Sequence, residues 1–429
     1  MGTYDDILDS VRLPRMYRVS QEFARDRVTD IAGTIRREIS QIPDIGRVRG
    51  KQVALAVGSR GIANLPEIVK TVIDVLSEHG ASLFIVPAMG SHGGAIAQNQ
   101  KIILEHLGIS EQAMGIPIRA TMETDCIGHT PEGVPVYFDH YANCADFTVS
   151  IARIKPHSSF RGKYESGMVK MSVIGLGKQR GADYCHIKGM ANMGVNLEKI
   201  GRVHMERSNL LFCLGLMENA YDQTCMIRAF PKDNILGEEP ALLEKAKTYL
   251  PRIPFGSLDL LVVDEIGKNI TGTGMDCNIV QRFTSEHMTA RPFTKRLVVL
   301  DLTEESDGNA SGIGLADISC RRAFEKMSMS KTYPNGLTAR TTLGCKIPII
   351  MDNDFDTIRA GIKTAPDADY ENLRIVRIKN TLRLDEMEIS EALVREAQAM
   401  EHISGDWAGS PWRFSADGIL LGREDETNV

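Results

Sequence analysis

Apolar positions along the chain fall into short unbroken runs separated by stretches of helical periodicity. Residues 53 to 58, VALAVG, follow a basic stretch and precede Ser59, Arg60 and Gly61. A short run without polar alternation predicts a strand buried on both faces, as in parallel sheets. In 65 to 79, LPEIVKTVIDVLSEH, the residues Ile68, Val69, Val72, Ile73, Val75 and Leu76 recur at helical spacing, with Pro66 suited to a first turn and Gly80 to a C-terminal stop. SLFIVPAMG then predicts a second strand, a helix over about 97 to 107 follows, and DFTVSIARI at 146 to 154 supplies a further strand. A second series begins near 251, after a helical segment over 238 to 250. Its strands are LDLLVVDEIG at 258 to 267, RLVVLDLT at 296 to 303 and CKIPIIMDND at 345 to 354.

This order predicts an α/β fold of two lobes, each a mostly parallel sheet flanked by helices, with an N-terminal domain over 1–250 and a C-terminal domain over 251–429. In such doubly wound sheets ligands meet the loops at the carboxyl ends of the strands, so SRGIAN at 59 to 64 and MGSHGG at 89 to 94 are candidate site loops. The active site is expected between the lobes, and the last twenty residues are expected to be loop and tail.

A chain of 429 residues exceeds one ordinary core, in keeping with two domains. With 43% hydrophobic and 25% charged residues the composition is that of a globular protein. The net charge of −6, without a long Lys/Arg block, argues against nucleic acid as a partner. Eight cysteines are scattered without a CxxC pair, which reads as reduced thiols in a cytoplasm. The acidic, polar N-terminus does not read as a signal peptide, and no run approaches the roughly 18 apolar residues of a membrane span. A cytoplasmic protein acting on a small anion is the expectation.

Four residues stand out for chemistry. His92 lies in GSHGG, where glycines let the backbone approach a ligand, although a turn histidine capping the next helix has the same look. His157, in KPHSSF, reads equally as a loop histidine. Imidazole exchanges protons near neutrality, and two of them on neighbouring strand-end loops suit a reaction that treats both faces of one substrate. Lys170 stands inside MVKMSVIGLG, unusually apolar for a solvated lysine, and a partly buried amine is a candidate for covalent attachment. His186 follows in DYCHIKG beside Cys185; one histidine and one thiol fall short of a closed metal site, so further donors would have to come from elsewhere. NITGTGMDCN at 269 to 278, with Lys268, offers amides for a phosphate or carboxylate, or is a long surface hairpin. GLGKQRG lacks the spacing of a dinucleotide fingerprint, and GxSxG, HExxH and Walker A motifs are absent.

GSHGGA around His92, RIKPHSSFRG around His157, ESGMVKMSVIGLGK around Lys170 and the histidine at 186 together resemble the nickel-dependent lactate racemase family, in a divergent branch of nickel-pincer isomerases. The resemblance spans roughly residues 50 to 350. It implies a nickel-pincer nucleotide, pyridinium-3-thioamide-5-thiocarboxylic acid mononucleotide with nickel, joined to Lys170, with His186 as the protein's ligand to the metal. It further implies His92 and His157 as the acid/base pair, Arg60 as an anion-holding arginine and Lys268 as a lysine at the far wall of the site. Cofactor-maturation enzymes are then expected partners, and an oligomer is compatible.

The implied reaction is racemisation or epimerisation of a 2-hydroxy acid by hydride transfer to the cofactor. VGSR lacks the acid that the racemases carry shortly before the arginine, and the segment after His157 holds Arg161, Lys163 and Glu165. These departures point away from lactate and toward a larger or more polar hydroxy acid or a sugar acid. Two other readings stand beside this one: a metal-dependent hydroxy-acid lyase or dehydratase without the pincer nucleotide, and a non-catalytic nickel- or nucleotide-binding protein.

Overall fold

The computed structural model describes residues 4–59, 61–187, 189–288, 294–339 and 341–421. Its strands are β1 (Met16–Gln21), β2 (Gln52–Val57), β3 (Ser82–Pro87), β4 (Thr124–His129), β5 (Pro135–Asp139), β6 (Phe147–Arg153), β7 (Leu210–Glu218), β8 (Thr224–Pro231), β9 (Leu258–Ile266), β10 (Thr294–Leu302), β11 (Ile318–Cys320), β12 (Ile349–Met351), β13 (Ile375–Ile378), β14 (Glu386–Ser390) and β15 (Ile403–Ser410). With the intervening helices they make a mixed α/β protein of two units.

The unit Ala24–Leu250 is built on a sheet of order β3-β2-β6-β7-β8. Every pairing in it is parallel except β7 with β8. The apolar run of β2 has its cause here. Val53, Leu55 and Val57 pack on one face in a core shared with Ile35 and Ile39 and with Val69 and Val72, residues of the helices Ile31–Ser40 and Leu65–Glu78. Ala54 and Ala56 face the other side with Phe84, Phe138 and Leu176. Each Val or Leu so buried contributes on the order of 1.5–3 kcal/mol. The hairpin β4-β5 stands apart from this sheet.

The other unit comprises Met1–Phe23 and the chain from Pro251 onward, with sheet order β12-β11-β10-β9-β13-β14-β1-β15. Its pairings from β12 to β13 are parallel and those among β13, β14, β1 and β15 antiparallel. Two details depart from the sequence reading. The first 23 residues lie in this unit and not with the N-terminal domain, because β1 alternates buried and exposed positions and is paired on both edges, by β14 and β15. The expected strand over 345–354 shrinks to Ile349–Met351: Leu343–Cys345 form a 3₁₀ turn, Pro348 has no N–H to give a ladder, and the short strand sits at the sheet edge. Among the described residues no helix is long and apolar enough to cross a membrane.

Candidate active site

β3, β2 and β6 are neighbours and parallel, so their carboxyl ends open on one rim, where ligands of such sheets bind. Ser59 follows β2, His92 follows β3 and His157 follows β6. Ser59 Oγ and His92 Nδ1 share a hydrogen bond across the first two of these loops. The His92 loop is also held from beneath: Gln100, fully buried, donates from Nε2 to the carbonyls of Gly90 and His92, each at 3.0 Å. Gly90 has φ +59, and a side chain there would meet Ile174 at 2.9 Å. Only glycine allows that backbone conformation and that approach together.

Ile174 belongs to the segment that carries Lys170. Met168–Lys170 is one helical turn, Met171–Leu176 winds as a π-helix, and Lys178–His186 returns to α-helix. π-helical turns are rare and gather at functional sites. Here the turn is seated against the strand-end loops, with the Gly175 carbonyl accepting from the Gly90 N–H at 3.2 Å and Met171 Cε beside Gly58. The amino end of the segment is capped by Glu239, whose Oε2 accepts from Val169 N–H at 2.8 Å. Gly167 makes room for that carboxylate, since a Cβ there would lie 2.4 Å from its Oε1. Burial pushes the Glu239 carboxyl up to about 7, against the pull of its bonds to Val169 and Met168.

Downstream, Lys178 adopts φ +54, uncommon for a residue with a side chain. Its ammonium is fully buried, 2.9 Å from the equally buried Asp139, and it donates to the carbonyl of Pro87 at the end of β3. Desolvation lowers its pKa and Asp139 opposes the shift. Gln100 Oε1 lies 3.5 Å from the same nitrogen, so one buried network joins Asp139, Lys178 and Gln100 to the His92 loop. GLGKQRG is therefore a packing and ion-pair element.

His186 closes the second helix, and its Nδ1 meets the carbonyl of Ala182 at 2.7 Å. A carbonyl only accepts, so Nδ1 carries the proton and Nε2 the lone pair, the tautomer found in metal-ligating histidines. Cys185 turns the other way. It is fully buried with Sγ 3.6 Å from Met193 Sδ, and burial pushes the thiol up to about 12 against the opposing charge of Lys170. A thiol so held is a poor source of thiolate for a metal.

The His157 loop depends on the charged residues that follow it. Glu165 is fully buried and accepts the His157 N–H at 2.7 Å, Arg161 donates to the His157 carbonyl, and Lys163 pairs with Glu198 at 3.7 Å. The Glu165 carboxylate thus shapes the loop from inside, which removes it from the groups expected to meet a polar substrate. Ser159 N–H donates to His157 Nδ1 at 3.0 Å, so the neutral ring holds its proton on Nε2. Phe160 joins this loop to the lysine: its ring centroid is 4.4 Å from that of His157 and 5.9 Å from Lys170 Nζ.

Arg60 lies outside the described residues. Lys268 belongs to the other unit, where its ammonium meets the Gly272 carbonyl at 2.5 Å and Asn335 Oδ1 at 3.0 Å. Glu239, Gln100, Asp139 and Phe160 were not singled out by sequence. Only Phe160 lies inside one of the motifs; Glu239 and Asp139 act on partners far away in sequence, and Gln100, whose partners Gly90 and His92 lie ten and eight residues before it, occupies an ordinary helix position.

No protein-family model matches the chain, and no curated protein does. Among solved structures it is similar to the lactate racemase apoprotein from Thermoanaerobacterium thermosaccharolyticum, at 13% identity and TM-score 0.43, over 70% of this chain and 69% of that one. It is also similar to a protein from Thermotoga maritima, at 13% identity and TM-score 0.45, over 63% of this chain and 69% of that one.

Proposed function

We propose that the chain is a racemase or epimerase of 2-hydroxy acids, the substrate being lactate-like, larger, or a sugar acid, and that it works with a nickel-pincer nucleotide joined to Lys170. What carries the reading is the way two histidine loops meet the lysine-bearing segment: the His92 loop through Gly90 and the π-helix, the His157 loop through Phe160. The chain's own donors fit the group in one respect that can be stated atom by atom. His186 presents Nε2 with its lone pair, while Cys185 is turned into the core. One nitrogen from the protein leaves the remaining positions of a square-planar ion to the nucleotide.

The C2–H of a hydroxycarboxylate is a very weak acid, because its loss would set an enolate beside a carboxylate. The hydroxyl proton is the one a histidine removes. His92, steadied at Nδ1 by Ser59, is assigned that exchange at Nε2, while His157 begins with its proton on Nε2 and donates toward the substrate oxygen. When bound, the nucleotide supplies an electron-poor acceptor for the C2 hydrogen and its electron pair. The resulting planar ketone has two faces, and the histidine pair handles the hydroxyl proton in either direction. Arg60 and Lys268 enter the proposal as anion-holding groups, each tested by substitution to alanine with turnover as readout.

Intact-mass analysis and metal assay of protein produced with cofactor-maturation enzymes test the assignment. The expected result is a covalent mass increase that maps to Lys170 and disappears in Lys170→Ala. An adduct on Lys163 or Lys178 would refute the tether. Turnover in heavy water is expected to leave the original hydrogen at C2, whereas early solvent deuterium there would overturn this route in favour of an enolising or lyase reaction.

A further inference from the structure

A second cluster of donor atoms lies beside the β4-β5 hairpin, in residues that the proposed reaction does not use. Asp125 is on β4, and His140 and Cys144 are four apart on the short helix that follows β5. His140 Nδ1 is 3.1 Å from each carboxylate oxygen of Asp125, and Cys144 Sγ is 4.0 Å from that nitrogen and 3.8 Å from Nε2. One ligand atom from each residue falls within 4.8 Å of the other two. Donors around a four-coordinate zinc ion stand about 3.4–3.6 Å apart, so a small rotation of the exposed Cys144 side chain brings all three to ligand positions.

The surroundings are ordered as metal sites require. Asn143 Nδ2 donates to Asp125 Oδ2 at 2.9 Å and so orients the carboxylate from outside the donor set. Asp139 fixes the start of the helix by accepting Ala142 N–H at 2.9 Å, and the His140 N–H donates to the Glu123 carbonyl at 3.1 Å. The ligand-bearing helix and β4 are therefore held together without help from an ion.

We propose that Asp125, His140 and Cys144 bind a divalent cation of the zinc class, with a fourth position left for water or an external ligand. Carboxylate, imidazole and thiolate together suit a borderline ion and disfavour magnesium or calcium, which take oxygen donors. The ion would tie β4 to the helix that Asp139 caps, adjoining the buried Asp139–Lys178 pair.

The test uses full-length reduced protein, produced without maturation enzymes and stripped with a chelator. Cobalt(II) serves as the spectroscopic probe and zinc as its competitor. Expected are one equivalent of bound cobalt with a thiolate-to-cobalt charge-transfer band, its displacement by zinc, and a rise in melting temperature with zinc. The band should vanish in Cys144→Ser, and affinity should fall at least tenfold in His140→Ala and in Asp125→Asn. Cys126→Ser, which removes the neighbouring exposed thiol, and His186→Ala should both retain the site. The variants alter partly or fully exposed positions, and far-ultraviolet circular dichroism checks their folding. A band that survives Cys144→Ser, or one lost in Cys126→Ser or His186→Ala, overturns the assignment. So does zinc binding no tighter than millimolar.

Discussion

Glu239 offers a sharp test of how the Lys170 segment is held. Its carboxyl is buried against the amino end of that segment, with a pKa near 7 in place of its ordinary 4.5. A carboxyl whose pKa is raised on folding favours the folded state below its unfolded pKa and loses that advantage as pH climbs through the folded value. The offset amounts to roughly 3 kcal/mol in full, most of which develops between pH 5 and pH 8. Glu239→Gln keeps a carbonyl acceptor for Val169 N–H and removes the ionisation. Urea unfolding of both proteins at pH 5 and pH 8 is expected to show the wild type losing about 2–3 kcal/mol more than the variant over that range. Since a two-unit chain need not unfold in one step, amide exchange over residues 168–176 provides the local readout, with faster exchange at pH 8, after correction for intrinsic rates, in the wild type only. Parallel pH dependences in the two proteins, to within about 0.5 kcal/mol, would show that the carboxyl does not titrate in this environment.

Lys178→Met strands the buried Asp139 charge and should cost about 3–5 kcal/mol in chemical denaturation, with much of the loss recovered by adding Asp139→Leu. If the double variant is no better than the single, the pair is not the cause. His204 is fully buried with its pKa pushed down to about 3, so the proton it takes up on unfolding below pH 6.5 contributes a destabilising slope of about 2 kcal/mol from pH 7 to pH 5, opposite in sign to that of Glu239. His204→Leu should remove that slope in the same unfolding series. In cofactor-loaded protein His186→Ala should lose nickel by metal analysis, while Cys185→Ala retains it. Equal loss from both would make the thiolate a ligand. Phe160→Ala should lower stability by about 3–5 kcal/mol and lower turnover as well, through its contacts with His157 and Lys170.

Hydrophobic period alone was enough to recognise β2, β3, β6, β9 and β10 and the helix Leu65–Glu78, because a strand buried on both faces and a one-sided helix leave signatures within ten or fifteen residues. The same reading placed His92 and His157 on strand-end loops, since both lie just past such runs. It did not settle MVKMSVIGLG, which is apolar enough for either a helix or a strand. Its π-helical course follows from Glu239 at its amino end and Gly90 against its side. β1 was hidden for a related reason: six alternating residues carry little signal until β14 and β15, more than 360 positions away in the chain, supply both of its edges. The charges after His157 looked like substrate groups because sequence shows charge without burial, and folding turned Glu165 inward to hold the loop's own backbone. Local pattern determines which segments become strands and helices, since that choice rests on neighbours a few residues apart. Which distant carboxylate caps the lysine's helix, and which buried pair steadies the histidine loop, was decided only by tertiary packing, which alone brings those groups together and removes the water that would otherwise satisfy them.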